Sequence, residues 1–277
     1  MRVSLSEILH DARRKGYGVP ALAVENELNL RSAIEAAEQA RSPLILLSGY
    51  AATRDLPFFV QTLNHYCDGA KVPAAIILDH ASSYEKCAQG VRSGFGAVMY
   101  DCSKLPFEEN SRRVAEVVRF AHACGVEVEA ELGHVGGREY ETQQETESVF
   151  TEIDEARAFV EQTGVDFLAV AVGTAHGIYK GTPKLNFELL EALREAVPVP
   201  LVLHGASGTG DENISRACKL GACKVNVGTE LYLAGRDAVK RADLDGANVY
   251  SLYQQQHESY IRTALHWFRI CGSEHTV

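Results

Sequence analysis

The 277-residue sequence lacks three features that would place it in specialised classes of protein. It has no cluster of basic residues, and its formal net charge is -10, which argues against a nucleic-acid-binding surface. Its longest apolar runs, such as residues 73–78, are far too short to cross a bilayer. The start of the chain has neither the apolar stretch nor the small-residue cleavage site of a secretory signal. These absences predict a protein with no nucleic-acid partner and no membrane partner.

Paired cysteine spacing is also missing. The chain has seven cysteines, an odd number, and none of them forms a Cys-x-x-Cys motif. Disulfide frameworks and structural zinc sites are usually recognised by an even count or by such spacings. We therefore expect reduced, mostly buried thiols and a cytoplasmic location.

Apolar runs of strand length recur along the whole chain. They cover residues 19–24, 43–49, 73–80, 95–101, 126–133, 165–173, 199–205 and 222–228. Most are continuous rather than alternating, which is typical of parallel strands covered on both faces. Segments with helical spacing lie between them, for example 29–40, 110–125 and 187–196, and no linker interrupts the pattern. The eight repeats predict an α/β fold, a single (β/α)8 TIM barrel. A doubly wound open sheet is the structural alternative.

The C-terminal part of the chain lies beyond the eight repeats. We predict one domain over residues 1–277, with the barrel at about 5–235 and a C-terminal helical extension at about 236–277. Residues 244–277 are rich in aromatic side chains, namely Tyr250, Tyr253, Tyr260, Trp267 and Phe268. This apolar content predicts helices packed on the barrel or on a partner subunit, and hence a homodimer or homotetramer.

Polar residues collect where the predicted strands end, and barrel enzymes place their catalytic groups at those ends. These residues are Asp79, His80, Asp101, Glu129, Glu131, His176, His204 and Asn226. One histidine at a strand end is usually structural, but three at one mouth beside carboxylates favour a metal site. Three imidazoles with an open fourth position form the ligand set of a catalytic zinc. Each ring needs an acceptor for its other nitrogen, and we expect Glu131 or a backbone carbonyl to serve.

Two glycine-containing loops follow the last two predicted strands. They are GASG at 205–208 and NVGT at 226–229. Either would be a routine tight turn by itself. Together they lie where barrels commonly bind phosphate, glycine lets backbone N–H groups approach an anion, and Ser207 and Thr229 add hydroxyl donors. The pair therefore favours a phosphate-binding site.

Five motifs together resemble one known family. DH at 79–80, VEAELGHVGG at 128–137, VGTAHGIYKG at 172–181, LVLHGASG at 201–208 and KVNVGTEL at 224–231 are similar to the class II ketose-bisphosphate aldolases. The likeness spans residues 5–235 and is greatest to the tagatose-bisphosphate branch. It implies a TIM barrel, one Zn²⁺ per chain, and reversible cleavage of a phosphorylated sugar to dihydroxyacetone phosphate and an aldehyde. A monovalent cation near the phosphate site is a further cofactor that the resemblance allows.

The resemblance also implies roles for individual residues. The family's three zinc ligands match His80, His176 and His204. Asp79 matches the aspartate that exchanges a proton with the C4 oxygen, and Glu139 matches the loop glutamate that moves the proton at C3. Asp101 and Glu131 match carboxylates that support the metal or offer it an alternative position. The substrate and its phosphate are held by residues that match Gly177, Gly205, Ala206, Ser207, Asn226, Val227, Gly228 and Thr229.

The sequence departs from the family pattern in three places. Leu22-Ala23 stands where the family usually has Phe-Asn. Residues 138–140 read Arg-Glu-Tyr where the family usually has Glu/Gln-Glu-Asp. Residues 247–249 read Ala-Asn-Val where the family often has Asp-Pro-Arg. That missing arginine binds the phosphate of the aldehyde half, although Arg54 or Arg262 could replace it.

Several functions remain open at this stage. The best single substrate is tagatose 1,6-bisphosphate, which would yield glyceraldehyde 3-phosphate as the aldehyde. The main alternative is a ketose 1-phosphate with an unphosphorylated distal end. A non-catalytic subunit and a metal-dependent barrel enzyme of different chemistry, such as a hydrolase or epimerase, are the other classes.

Overall fold

The computed structural model describes residues 1–50, 53, 55–138, 145–177, 183–242 and 251–277. Its strands are β1 (Val19–Ala23), β2 (Leu44–Ser48), β3 (Ala74–Ala81), β4 (Ala97–Tyr100), β5 (Glu127–Leu132), β6 (Gly137–Arg138), β7 (Glu145–Thr146), β8 (Phe167–Val170), β9 (Leu201–Leu203) and β10 (Ala222–Val227). Eight of them form a closed parallel barrel in the order β1-β10-β9-β8-β5-β4-β3-β2. The short strands β6 and β7, which the sequence did not predict, form a separate antiparallel pair.

Helices connect and surround these strands. They are α1 (Leu5–Lys15), α2 (Glu27–Ala40), α3 (Leu56–Gly69), α4 (Tyr84–Ser93), α5 (Phe107–Ala123), α6 (Ile153–Thr163), α7 (Phe187–Ala196), α8 (Asp211–Leu220), α9 (Thr229–Arg241) and α10 (Ser251–Cys271). The alternation of parallel strand and helix, closed into a barrel, confirms the predicted (β/α)8 fold and excludes the open sheet.

Local sequence explains where several helices begin and end. Ser4, Asn26 and Ser83 each accept a hydrogen bond from a backbone N–H in the first turn of the helix that follows. Gly16 and Gly94 end α1 and α4 in the left-handed conformation that glycine adopts without a steric cost. These capping residues mark where each helix begins or ends between consecutive strands.

Seven of the eight barrel strands are shorter than the apolar runs that predicted them, and β3 is as long as its run. The run at 165–173 contains β8, which ends at Val170, although Ala171 and Val172 are also fully buried. Ala171 donates its N–H to the hydroxyl of Thr151 (2.9 Å), and the carbonyl of Val172 accepts from the N–H of Asn186 (2.8 Å). These buried backbone groups leave the sheet because other elements satisfy their hydrogen bonds.

The C-terminal extension packs on the barrel, as one of the two predicted arrangements requires. Helix α9 continues through Arg241, so the eighth barrel helix ends later than the predicted boundary near 235. Helix α10 packs on α2, α9 and α8. Its Tyr260, Trp267 and Phe268 are buried, and the Tyr260 hydroxyl donates to the carbonyl of Ala23 (2.8 Å).

Two further sequence expectations concern these helices. Tyr253 at the start of α10 is 65% exposed, and Tyr250 belongs to the segment 243–250 that the structure does not describe. Within the described ranges, no helix combines the length and the apolar character needed to span a bilayer.

Candidate active site

Three histidines converge at the carboxyl ends of the barrel strands. His80 lies near the end of β3, His204 directly follows β9, and His176 follows β8 after a short turn. Their ring centroids are 5.0 Å apart for His80 and His176, 4.8 Å for His80 and His204, and 5.8 Å for His176 and His204. Each ring offers a nitrogen within 4.8 Å of those of the other two. The fold thus brings together the three histidines that the sequence predicted as metal ligands.

The backbone of His80 is strained. Its φ of 45° lies in the left-handed region, which is uncommon for a residue other than glycine. The pairing of β3 with β4 also shifts register between Leu78 and Ala81, on either side of this residue. The surrounding barrel holds His80 in this conformation, and such retained strain is most often found at functional sites.

Carboxylates orient two of the three rings, and one of them differs from the prediction. His80 Nδ1 donates to Asp101 Oδ2 (2.9 Å), and His204 Nε2 donates to Glu129 Oε1 (2.9 Å). The orienting group for His204 is therefore Glu129, where the prediction was Glu131 or a backbone carbonyl. Because a carboxylate only accepts hydrogen bonds, these contacts leave His80 Nε2 and His204 Nδ1 facing each other at 3.0 Å. This is how two imidazole ligands would converge on one cation.

The surroundings of the histidines set their pKa values in opposite directions. Burial by itself lowers the pKa of His80, but the carboxylates of Asp79 and Asp101 outweigh it and raise that pKa to about 10. Burial and the nearby His80 lower the pKa values of His176 and His204 well below the ordinary range for histidine. The carboxylates that stabilise positive charge on His80 would also stabilise a metal cation between the rings.

A buried lysine supports the orienting carboxylate. Lys224 Nζ donates to both oxygens of Glu129, at 3.0 and 2.8 Å. The side chains of Lys224, Glu129 and His204 have relative exposures of 0%, 0% and 1%. Lys224 was not among the predicted site residues, although a signal was present: a charged residue stands inside an apolar run, two positions before Asn226 and so on the same strand face.

Asp79, the predicted proton carrier, is tied to this cluster through Asn226. Asn226 Nδ2 donates to Asp79 Oδ1 (3.1 Å) and lies 3.3 and 3.4 Å from the ring nitrogens of His204. The Oδ1 atom of Asn226 is buried and has no hydrogen-bond partner among the described residues. This oxygen is therefore available to accept a hydrogen bond from a water molecule or a polar ligand.

A second group of ligand atoms lies beside the first. His80, Asp101 and Glu131 each offer an atom within 4.8 Å of the others. Burial and the charge of Asp101 raise the pKa of Glu131, whose Oε1 accepts from the N–H of Val135 (2.9 Å). Glu131 Oε2 is buried without a hydrogen-bond partner in the described part of the chain. These two carboxylates are thus placed where an alternative metal position could form.

The two glycine-containing loops lie next to each other at the same end of the barrel. Gly205 has a φ of 65°, and a Cβ there would lie 2.4 Å from the carbonyl oxygen of Ala175, so this loop packs tightly on the segment that carries His176 and Gly177. Helix α9 begins at Thr229 after Gly228, which offers no side-chain cap, and the N–H of Glu230 in its first turn donates to Ser207 Oγ of the neighbouring loop (3.3 Å). Ala206 and Val227, which the sequence also assigns to these loops, are buried.

Close glycine packing also occurs at the start of the loop predicted to carry Glu139. His176 N–H donates to the carbonyl of Gly136 (2.7 Å), and a Cβ at Gly137 would lie 2.2 Å from the carbonyl oxygen of His176. Strand β6 therefore packs directly on a predicted metal ligand. Glu139 itself lies outside the described residues, and so do Arg54 and residues 247–249. Arg262 is exposed on α10.

Fold and site together define a TIM-barrel protein whose mouth carries a three-histidine, carboxylate-backed centre beside two glycine-rich loops. The family description that matches the chain is Fructose-bisphosphate aldolase class-II, over residues 3–276. The chain belongs to the class II fructose-bisphosphate aldolase family, and its resemblance to that family is confirmed.

Solved structures agree with this assignment. The chain is similar to the YdjI aldolase from Escherichia coli K12, with 36% identity, a TM-score of 0.89, and 99% of each chain covered. It is 29% identical to a candidate fructose-1,6-bisphosphate aldolase from Coccidioides immitis, with a TM-score of 0.91 and coverage of 98% of this chain and 96% of the other. The fold also matches fructose-bisphosphate aldolase from Campylobacter jejuni at 21% identity and a TM-score of 0.82, over 99% of this chain and 96% of that one.

Proposed function

We propose that this protein is a zinc-dependent aldolase that reversibly cleaves a ketose phosphate to dihydroxyacetone phosphate and an aldehyde. The observation that carries the proposal is the convergence of His80, His176 and His204, two of them oriented by buried carboxylates. Tagatose 1,6-bisphosphate, cleaved to dihydroxyacetone phosphate and glyceraldehyde 3-phosphate, is the proposed substrate because the loop motifs resemble that branch of the family.

The residues at the mouth fit one Zn²⁺ per chain. Zinc takes neutral imidazoles, and burial disfavours protonation of His176 and His204. His176 Nε2 is buried and has no hydrogen-bond partner among the described residues. When bound to these three histidines, zinc would supply Lewis-acid stabilisation of the negative charge that develops as the carbon–carbon bond breaks.

The chain's own residues would move the protons. Asp79 removes the proton from the C4 hydroxyl while the C3–C4 bond breaks. The electrons of that bond move toward the C2 carbonyl. The hydrogen bond from Asn226 holds Asp79 in place for this transfer. Glu139, by its match to the family, then delivers a proton to C3 of the three-carbon enediolate, which gives dihydroxyacetone phosphate. Separate carboxylates suit these steps because the two protons are exchanged at different atoms.

Binding of the phosphate on C1 is assigned to the loops that follow β9 and β10. Gly177 and Gly205 have φ values of 90° and 65°, which glycine adopts without strain, while Ser207 and Thr229 supply hydroxyl donors. A monovalent cation beside this phosphate is part of the proposal. So are a cytoplasmic location and a homodimeric or homotetrameric assembly.

A ketose 1-phosphate with an unphosphorylated distal end is the second candidate substrate. It is supported by Ala247-Asn248-Val249, which stands where the family often has the arginine for the distal phosphate. Loss of a charge-assisted contact of this kind costs about 2 kcal/mol, or roughly 30-fold in preference.

One set of kinetic measurements tests these proposals. Zinc content and kcat/KM would be measured with tagatose 1,6-bisphosphate, fructose 1,6-bisphosphate and their 1-phosphates, before and after chelation. We expect about one zinc per chain and activity that chelators remove and zinc restores. A preference above about a hundredfold for the bisphosphates would contradict the second candidate. Zinc-loaded protein that cleaves none of the four, and exchanges no C3 proton of dihydroxyacetone phosphate, would contradict the aldolase proposal.

A further inference from the structure

Glu230, in the first turn of α9, joins the loop after β9 to the C-terminal helix α10. Its Oε1 accepts from the N–H of Gly208 (2.9 Å), and its own N–H donates to Ser207 Oγ (3.3 Å). Its Oε2 accepts from Nε1 of Trp267, a fully buried residue of α10 (2.9 Å). One glutamate thus contacts two consecutive residues of a predicted phosphate loop and the middle of a helix outside the barrel.

These contacts determine which donors the loop can offer to an anion. Gly208 N–H is already used by Glu230. Ser207 Oγ acts as an acceptor toward Glu230, so its single hydrogen is directed elsewhere and can be given to another acceptor. Ser207 is also buried, which restricts the rotation of its hydroxyl. The Glu230 N–H therefore orients the Ser207 hydroxyl directly, while the Glu230 carboxylate holds the next residue of the loop through Gly208 N–H.

The indole N–H of Trp267 has a separate effect on the carboxylate. Glu230 carries a negative charge close to the place assigned to phosphate, and an unrestrained carboxylate there would repel a phosphate dianion. Because Gly208 and Trp267 each bond a different oxygen, the side chain is held in one orientation. A glutamine could not reproduce both contacts, since only one of its two terminal atoms is an acceptor.

We propose that Glu230 is a positioning residue for the phosphate loop and that Trp267 makes helix α10 part of the phosphate-binding site. This inference rests on the proposed function, since it assumes that the loop at 205–208 binds the substrate's phosphate. It assigns the C-terminal extension a role in substrate affinity that its packing alone would not require.

The test compares three variants of the zinc-loaded protein. Trp267→Phe removes the N–H but keeps most of the packing, Glu230→Ala removes both carboxylate contacts, and His266→Ala is the matched control. His266 neighbours Trp267 on α10, and its side chain bonds the exposed Asp211 at the start of α8 (3.0 Å) rather than Glu230 or a residue of the loop at 205–208. Binding of dihydroxyacetone phosphate would be measured by titration calorimetry, together with KM, kcat, zinc content and thermal stability.

We expect dihydroxyacetone phosphate to bind about fivefold more weakly to Trp267→Phe and about tenfold more weakly to Glu230→Ala. KM should rise in proportion while kcat and zinc content stay unchanged, because the lost contacts serve binding alone. His266→Ala should bind as the unaltered protein does. A purely structural role would lower thermal stability without this separation of KM from kcat.

Two outcomes would overturn the inference. The first is affinity within twofold of the unaltered protein for both folded variants, and the second is tighter binding by Glu230→Ala. If Glu230→Ala fails to fold, Trp267→Phe alone decides. Failure of the unaltered zinc protein to bind dihydroxyacetone phosphate is a distinguishable result, since it would contradict the proposed function itself.

Discussion

Lys224 and Glu129 form an ion pair that water does not reach, so each depends on the other for compensation of its charge. We expect Lys224→Met to lower the free energy of unfolding by about 3–5 kcal/mol, because it leaves Glu129 charged and buried without a cation. Urea denaturation of the metal-free protein measures this change directly. Lys219→Met, at an exposed position on α8, is the control and should change stability by less than about 0.5 kcal/mol.

A double variant separates the charge effect from loss of packing. Lys224→Met combined with Glu129→Gln removes both charges, and we expect it to recover a large part of the lost stability. A double variant as unstable as the sum of the single ones would show that Lys224 acts through packing rather than through Glu129.

The two carboxylates assigned to proton transfer should fail in different ways. Asp79→Ala should abolish carbon–carbon cleavage while zinc stays bound, because Asp79 is assigned to the C4 oxygen. Glu139→Ala should mainly slow exchange of the C3 proton of dihydroxyacetone phosphate with solvent, which NMR in deuterated water measures. Equal loss of cleavage and exchange in both variants would contradict the separate assignments.

At the scale of secondary-structure elements, β6 makes a close backbone contact with the segment that carries His176. Gly137 has a φ of 96°, and an added methyl group would lie 2.2 Å from the His176 carbonyl oxygen. Gly137→Ala should therefore displace His176 and weaken zinc binding by about tenfold or more, as measured by competition with a chelating dye. Loss of activity with unchanged zinc affinity would contradict this explanation.

Gly235 provides the matched control for that substitution. It lies in α9, and a Cβ there would meet no atom within 4 Å among the described residues. Gly235→Ala should leave zinc affinity unchanged and raise the free energy of unfolding by about 0.5–1 kcal/mol, because alanine favours the helix.

At the scale of the whole molecule, we predict that the protein assembles as a homodimer or homotetramer. Phe58 on α3 and Tyr253 on α10 are 66% and 65% exposed, and a partner subunit would cover such side chains if they lie at an interface. We expect light scattering at micromolar concentration to give the mass of a dimer or tetramer. A mass near the 30.2 kDa of one chain would contradict the expectation.

The architecture could be predicted because its signals are local. Buried parallel strands need continuous apolar runs, and helices between them need periodic ones, so eight repeats could be counted along the chain. All eight predicted runs overlap the barrel strands of the structure. The strand ends were less predictable, since Ala171 and Val172 leave the sheet only because Thr151 and Asn186 bond their backbone groups.

The site divides along the same line. By itself the sequence determined which polar residues end the strands, and closure of the barrel then placed His80, His176 and His204 together. Only the tertiary structure decided that Glu129 rather than Glu131 orients His204. It also decided that Lys224 neutralises Glu129 and that Trp267 reaches Glu230. These contacts join residues 75, 95 and 37 positions apart. Their choice of partner depends on side-chain direction inside a closed barrel, which no local pattern of residues specifies.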